Sequence, residues 1–343
     1  MHTILLLLLA WACFAGCGRP AAAAARVPSK WLAGPVILTA GKKGTFDDIA
    51  VKDPSIVRYQ GKWHLFYTIS GKEPGGIGYV SAPTLDALNT APRYWLTQFS
   101  GRTSDSKGGA PQVFYFEPQR LWYLIYQTKD FNRQPVYSTT ATIDRPASWS
   151  KTKNLLPREE PDVKWIDFWV ICDDTYAYLF YSRGRKDVYF RTTKIDDFPA
   201  GFGPGRLAFS PMPQPLTEAV HVYKVKGKSE YHMFYETRPP GRAIRRYGLA
   251  TASSLSGPWT RIADDYAIGE KLVFPNPANR WTDVVSHGEM IRTGYNQYLE
   301  YNPAESRFLI QGRPSSIPPG LTERPGWQFG IITPLYETTA HSR

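Results

Sequence analysis

The sequence predicts an all-β protein, a five-bladed β-propeller. Three observations predict it. A hairpin-like stretch recurs five times along the 343 residues. A smaller, more polar strand follows four of these hairpins. No long amphipathic helix interrupts the pattern.

The first unit is Asp53-PSIVRYQGKWHLFYT. The others begin Ala110-PQVFYFEPQRLWYLIYQT, Asp167-FWVICDDTYAYLFYS, Glu218-AVHVYKVKGKSEYHMFYE and His287-GEMIRTGYNQYLEY. Their starts are 57, 57, 51 and 69 positions apart. Each opens on a short apolar strand. A turn follows, built on Gln-Gly, Pro-Gln, Asp-Asp, Lys-Gly or Gly-Tyr, and then an alternating aromatic and aliphatic strand. GIGYVSAP, PVYSTTAT, DVYFRTTK and RYGLATAS supply third strands. A Pro and a Trp recur after three of them: Pro92 and Trp95, Pro146 and Trp149, Pro258 and Trp259. A four-stranded unit of this length is a propeller blade, which must bury its faces against its neighbours. VILTA, read from Val36, and FGIITPLY near the C-terminus are expected to close the ring. A many-stranded β-sandwich is the alternative, but it does not require five recurrences.

The chain is 42% hydrophobic and 14% aromatic, ample for one large core. Before that core, ILLLLLAWACFAGC has the length of a signal-peptide apolar segment and is too short to span a membrane comfortably. Phe14-Ala15-Gly16-Cys17 resembles a bacterial lipobox, with Phe14 where Leu is usual. The expected organisation is a signal peptide at 1–17 with Cys17 lipidated, a tether at 18–34 and the propeller at 35–343. Export would leave Cys172 unpaired, so no disulfide is expected and Cys172 reads as a small core residue. The net charge is +11, but its Lys and Arg are scattered rather than clustered on one face. That points to a solvated surface and not to a nucleic-acid partner.

In a propeller the first strand of each blade is innermost, so the five starts converge on one mouth of the channel. Their residues are Asp53, Ala110, Asp167, Glu218 and His287. Singly, each has an ordinary reading as a turn former, a cap, a surface acid or a structural histidine. Three carboxylates and an imidazole around one axis are not a core's choice, because buried acids are costly unless paired, liganded or used. Paired carboxylates flanking a pocket suit glycoside cleavage: one protonates the leaving oxygen and one activates water.

These segments, with Lys52-Asp53-Pro54-Ser55-Ile56-Val57, Phe114-Tyr115-Phe116, Asp173-Asp174-Thr175 and Ser286-His287-Gly288, resemble the family-62 glycoside hydrolases. These are α-L-arabinofuranosidases that trim arabinose from arabinoxylan by inversion. The resemblance runs from about Trp31 to Leu335. It implies Asp53 as general base, Glu218 as general acid and Asp167 as the residue that tunes the acid and holds the sugar. Lys52 would contact the arabinose, with Phe168 and Trp327 also at the substrate. His287 would lie near a structural calcium, no cofactor would serve the chemistry, and the protein would be a monomer. The sequence departs from the family at Gln127-Thr128-Lys129, where Gln-Trp-Gly is common, and at Phe168, where a polar residue is frequent. A family-43-type hydrolase of another pentose-containing glycan and a non-catalytic sugar-binding lipoprotein are the alternatives.

Overall fold

A computed structural model describes residues 25–71, 75–96, 108–128, 134–156, 164–211, 216–238 and 244–337. The expected signal peptide and Cys17 lie outside the described residues. In chain order, β1 (Lys30–Leu38) precedes a sheet of β2 (Ala50–Tyr59), β3 (Lys62–Ser70), β4 (Ile77–Ala82) and β5 (Arg93–Trp95). The second sheet is β6 (Gly109–Phe116), β7 (Leu121–Gln127), β8 (Pro135–Thr140) and β9 (Lys153–Asn154). The third is β10 (Trp165–Cys172), β11 (Tyr176–Arg183), β12 (Asp187–Lys194) and β13 (Arg206–Phe209). The fourth is β14 (Leu216–Val225), β15 (Tyr231–Thr237), β16 (Arg246–Ala252) and β17 (Thr260–Ile268). The remaining strands are β18 (Leu272–Val273), β19 (Ser286–Met290), β20 (Glu300–Tyr301), β21 (Phe308–Gly312) and β22 (Gln328–Leu335). The fifth sheet runs β19-β21-β22-β1-β18. The five sheets are the blades of a β-propeller.

The ring closes through β1, which pairs antiparallel with β22 from Lys30↔Leu335 to Leu38↔Phe329. The strand begins at Lys30, so it takes in the last residues of the expected tether. Trp31 is fully buried in it, and its indole N–H donates to the carbonyl of Tyr266 (2.8 Å).

The aromatic second strands pack between blades, as their composition requires. Phe66, Leu124, Phe180 and Phe234 are essentially inaccessible to water. Full burial of each such side chain contributes roughly 1.5–3 kcal/mol. Small residues on the third strands make room for them. In the first blade, Tyr67 crosses Gly78, and a Cβ on Gly78 would lie 2.3 Å from the tyrosine ring. Tyr67 cannot swing away freely, because its hydroxyl donates to Asp47 Oδ2 (2.8 Å), which also pairs with Arg93 (2.9 Å). Gly248 stands in the same relation to Tyr235 in the fourth blade.

The fifth unit departs from expectation. Its inner strand β19 does not turn back through NQYLEY but pairs with β21, Ser286↔Gln311 to Met290↔Phe308. Residues 295–301 instead cross the ends of the other inner strands, at the mouth opposite the repeat starts. Tyr115 N–H donates to the carbonyl of Tyr295 (2.8 Å), and Cys172 N–H to that of Gln297 (2.9 Å). β20 then lies parallel to the end of β14, with Lys224↔Glu300 and Val225↔Tyr301. Cys172 is buried and free, and burial pushes its thiol up.

Gly78→Ala is expected to lower stability by about 1–3 kcal/mol through overpacking against the anchored Tyr67. Denaturant unfolding followed by tryptophan fluorescence would measure it.

Candidate active site

At the start of each inner strand the ladder breaks. The second strands place Thr68, Gln127, Ser182, Glu236 and Gln311 opposite Lys52, Gly109, Ile166, Glu218 and Ser286. One position later the backbone takes a left-handed turn in four blades, with φ of 51° at Asp53, 49° at Ala110, 54° at Asp167 and 57° at Ala219. Non-glycine residues in this region are strained and persist only where neighbours hold them.

The neighbours are polar side chains from the adjacent blade. Asp53 N–H donates to Gln311 Oε1 (2.8 Å), Ala110 N–H to Thr68 Oγ1 (2.7 Å), Asp167 N–H to Gln127 Oε1 (3.2 Å) and His287 N–H to Glu236 Oε2 (2.7 Å). Between the third and fourth blades the second-strand residue is Ser182, which is too short for the task. Its buried hydroxyl has no hydrogen-bond partner among the described residues. Asp167 substitutes, its Oδ2 accepting from Ala219 N–H (2.8 Å). Five hydrogen bonds thus link the five blades around the mouth.

This register corrects the position of the fourth start. Ala219, not Glu218, is the counterpart of Asp53 and Asp167. Glu218 matches Lys52, one residue earlier, so Glu218 and Asp53 stand at different steps of the repeat. Asp53 and Glu218 side chains are each 16% exposed, whereas Asp167 is 6% and His287 4% exposed. His287 Nδ1 lies between two of the acids, 3.3 Å from Asp53 Oδ1 and 3.8 Å from Asp167 Oδ2. Burial pushes the Asp53 carboxyl up, but Lys52, His287, a hydrogen bond from Thr68 and Arg245 outweigh it, and the net shift is downward.

Glu218 is held by a partner that the sequence did not suggest. Arg245 Nη1 pairs with Glu218 Oε1 and lies 2.5 Å from Glu236 Oε1. Glu236 is fully buried, and its Oε2 accepts from Ser286 Oγ (2.8 Å) as well as from His287 N–H. Burial, reinforced by the charge of Glu218, pushes Glu236 up against the opposing pull of Arg245. Burial pulls Arg245 down, but the two glutamates outweigh it and raise its pKa. Thr68, Gln127, Glu236 and Gln311 were missed in the sequence. Each follows the apolar run of its strand, in FYT, IYQ, FYE and LIQ, so a polar residue at a fixed point of the repeat was the available signal. Arg245, in the segment before β16, has no such repeat to mark it.

Two expected substrate contacts divide. Trp327 is half-buried on a cleft that also borders Lys52. Phe168 is 3% exposed and sits edge-on to Trp165, with ring centroids 5.8 Å apart, in the core between blades. The left-handed turn at Asp167 sends the following side chain inward, so Phe168 is a packing residue. Calcium takes six to eight oxygens. Among the described residues no three His, Cys, Asp or Glu side chains are grouped to hold a metal. The protein groups at His287 do not by themselves make a calcium cage.

Comparison with known proteins fits this geometry. The family model of glycosyl hydrolase family 62 matches residues 37–333. Alpha-L-arabinofuranosidase C of Cellvibrio japonicus is 33% identical over 301 residues, 84% of this chain and 44% of that protein. The chain thus spans less than half of that relative's length. The catalytic domain of a family-62 α-L-arabinofuranosidase from Coprinopsis cinerea superposes with a TM-score of 0.80 at 32% identity, covering 90% of this chain and 98% of that one. The α-L-arabinofuranosidase of Podospora anserina, solved with cellotriose, gives 0.77 at 28% identity, covering 90% and 99%. A thermostable family-43 hydrolase shares the fold, at 0.59 and 16% identity.

Arg245→Met would leave Glu218 and the buried Glu236 without their shared cation. A stability loss of about 3–5 kcal/mol is expected from breaking such a buried pair, and denaturant unfolding would measure it.

Proposed function

Because the chain belongs to glycosyl hydrolase family 62, we propose that it is an α-L-arabinofuranosidase that removes arabinofuranosyl side chains from arabinoxylan by inverting hydrolysis. The observation that carries this reading is the trio of carboxylates held at one mouth, with Asp53 kept below the ordinary carboxylate range. A general base must be ionised at the start of the cycle, and this environment favours that state.

In this reading Asp53 takes a proton from a water as the water oxygen bonds to the anomeric carbon. The glycosidic C–O bond breaks, and the leaving xylan oxygen takes the proton of Glu218. Asp53 ends protonated, Glu218 ends ionised, and solvent exchange restores both. An inverting pair stands ~6.5–9.5 Å apart to admit the water, and placement on two different blades suits such a gap. Glu218 Oε1 pairs with Arg245, whereas Oε2 faces only the more distant and exposed Arg185 Nη2 (4.0 Å), so Oε2 is assigned the transferred proton. Asp167 positions the acid through the backbone, because the N–H it holds belongs to the residue after Glu218. Lys52 and Trp327 are assigned to the substrate. Residues 1–17 are read as an export signal, with Cys17 carrying lipid and the enzyme acting at the cell envelope or beyond.

Glu218→Gln is expected to lower arabinose release from wheat arabinoxylan by about 10²–10⁴-fold, the range for losing a general acid, while arabinoxylan binding persists. Wild-type-like release from this variant would remove Glu218 from the role, and NMR of the first-formed anomer decides inversion.

Thr68→Val tests the base. The threonine hydroxyl lowers the Asp53 pKa, so its loss raises it, and the acid limb of kcat/KM is expected to move to higher pH. An unmoved limb would show that the limb belongs to another group.

A further inference from the structure

The mouth that holds Asp53 continues past Lys52 into a cleft of about 910 Å³. Lys52, Arg313, Arg324 and Trp327 line it, with Ile49 and Leu321 on its apolar side. Arg313 follows the end of β21, two positions after the Gln311 that holds the Asp53 backbone. β21 and β22 pair through Gly312↔Gln328, and the next residues on each, Arg313 and Trp327, meet with the guanidinium carbon 4.2 Å from the ring centroid.

The arginines are not spent on protein carboxylates. Among the described residues neither forms an ion pair, and the one polar bond of Arg324 is from Nη1 to the carbonyl of Ser315 (3.1 Å). Two acids also border the cleft. Asp48 is engaged through Oδ2 by Gly44 N–H (2.8 Å), and Glu323 is exposed. Burial, Arg324 and Arg245 all push Arg313 down, the signature of like charges gathered in one place. A neutral sugar could rest on Trp327 but has no use for two unpaired guanidinium groups. Guanidinium forks match carboxylates in shape and charge.

We propose that this cleft is a subsite for a uronosyl unit of the glycan, its carboxylate held by Arg313 and Arg324 and its ring resting on Trp327. The proposal rests on the reading that the adjoining mouth cleaves a glycan. A carboxylate could come from a uronosyl side group on a xylan or from a polyuronide backbone.

The test is calorimetric titration of the full chain with three probes: an arabinose-free glucuronoxylo-oligosaccharide, the same oligosaccharide after reduction of its carboxyl group, and an oligogalacturonide. The acidic xylo-oligosaccharide is expected to bind about tenfold more tightly than its reduced form, the effect of one charge-assisted bond. Salt should weaken this preference. Arg324→Gln, at an exposed position, should lessen it, and Arg313→Gln with Arg324→Gln should remove it. Galacturonide binding tighter than that of the acidic xylo-oligosaccharide would support the carboxylate subsite and assign its source to a polyuronide. Equal affinity for acidic and reduced forms, or a preference that survives in the double variant, overturns the proposal. Hydrolysis of an aryl arabinofuranoside by the wild type, run in parallel, judges the glycosidase reading separately. Its absence would sink that reading while the titrations still decide the cleft.

Discussion

The structure depends on a circuit of side-chain to backbone hydrogen bonds around one mouth of the channel. Gln311, Thr68, Gln127, Asp167 and Glu236 each accept an N–H from a neighbouring inner strand. Blade packing is apolar and weakly directional, so it leaves small rotations of one blade against the next inexpensive. The circuit removes that freedom where strained backbone carries the acids. It also makes Asp167 a joint of the ring as well as a charged group of the site. Fold and site therefore share atoms: the Thr68 hydroxyl accepts from Ala110 N–H and also lowers the Asp53 carboxyl.

The acids at the mouth are interleaved with basic side chains. His287 lies between Asp53 and Asp167, and Arg245 lies between Glu218 and Glu236. Four acids concentrated without partners would repel one another and resist burial. Dividing them into two groups lets Asp53 and Glu218 occupy distinct electrostatic surroundings, which is what unlike roles in one reaction require.

Most of the fold was legible because a blade needs a residue pattern that nothing else produces so regularly. WHLFYT, LWYLIYQ, AYLFYS and YHMFYE are interior on both faces, and their aromatic alternation announces it. The ring of Asp53, Asp167 and His287 was legible for the same reason, being a fixed point of the repeat. Where local pattern and tertiary pairing disagree, legibility fails. NQYLEY alternates like a second strand, yet its backbone groups bond to other blades, and FLIQG takes its place. Phe168 beside a catalytic candidate looked like a pocket wall, but a left-handed φ turned it into the core. Glu218 falls at the Lys52 step of the repeat, one residue before the left-handed turn, and only the strand register shows this. Arg245 belongs to no repeat and could be found only through the carboxylates it joins.

Ring closure by β1 and β22 carries a consequence for the order of assembly. Ser29 bonds to Leu335 across 306 positions, whereas the inner hairpins join residues a few positions apart. By the logarithmic dependence of loop entropy on length, closing that span costs about 1.5 kcal/mol more than closing one of a single blade's length. The fifth blade supplies Gln311, which steadies Asp53, so the candidate base is not fully framed until the last strand has docked. Four blades can thus be buried before the candidate base is framed, and that framing is complete only when β1 and β22 pair.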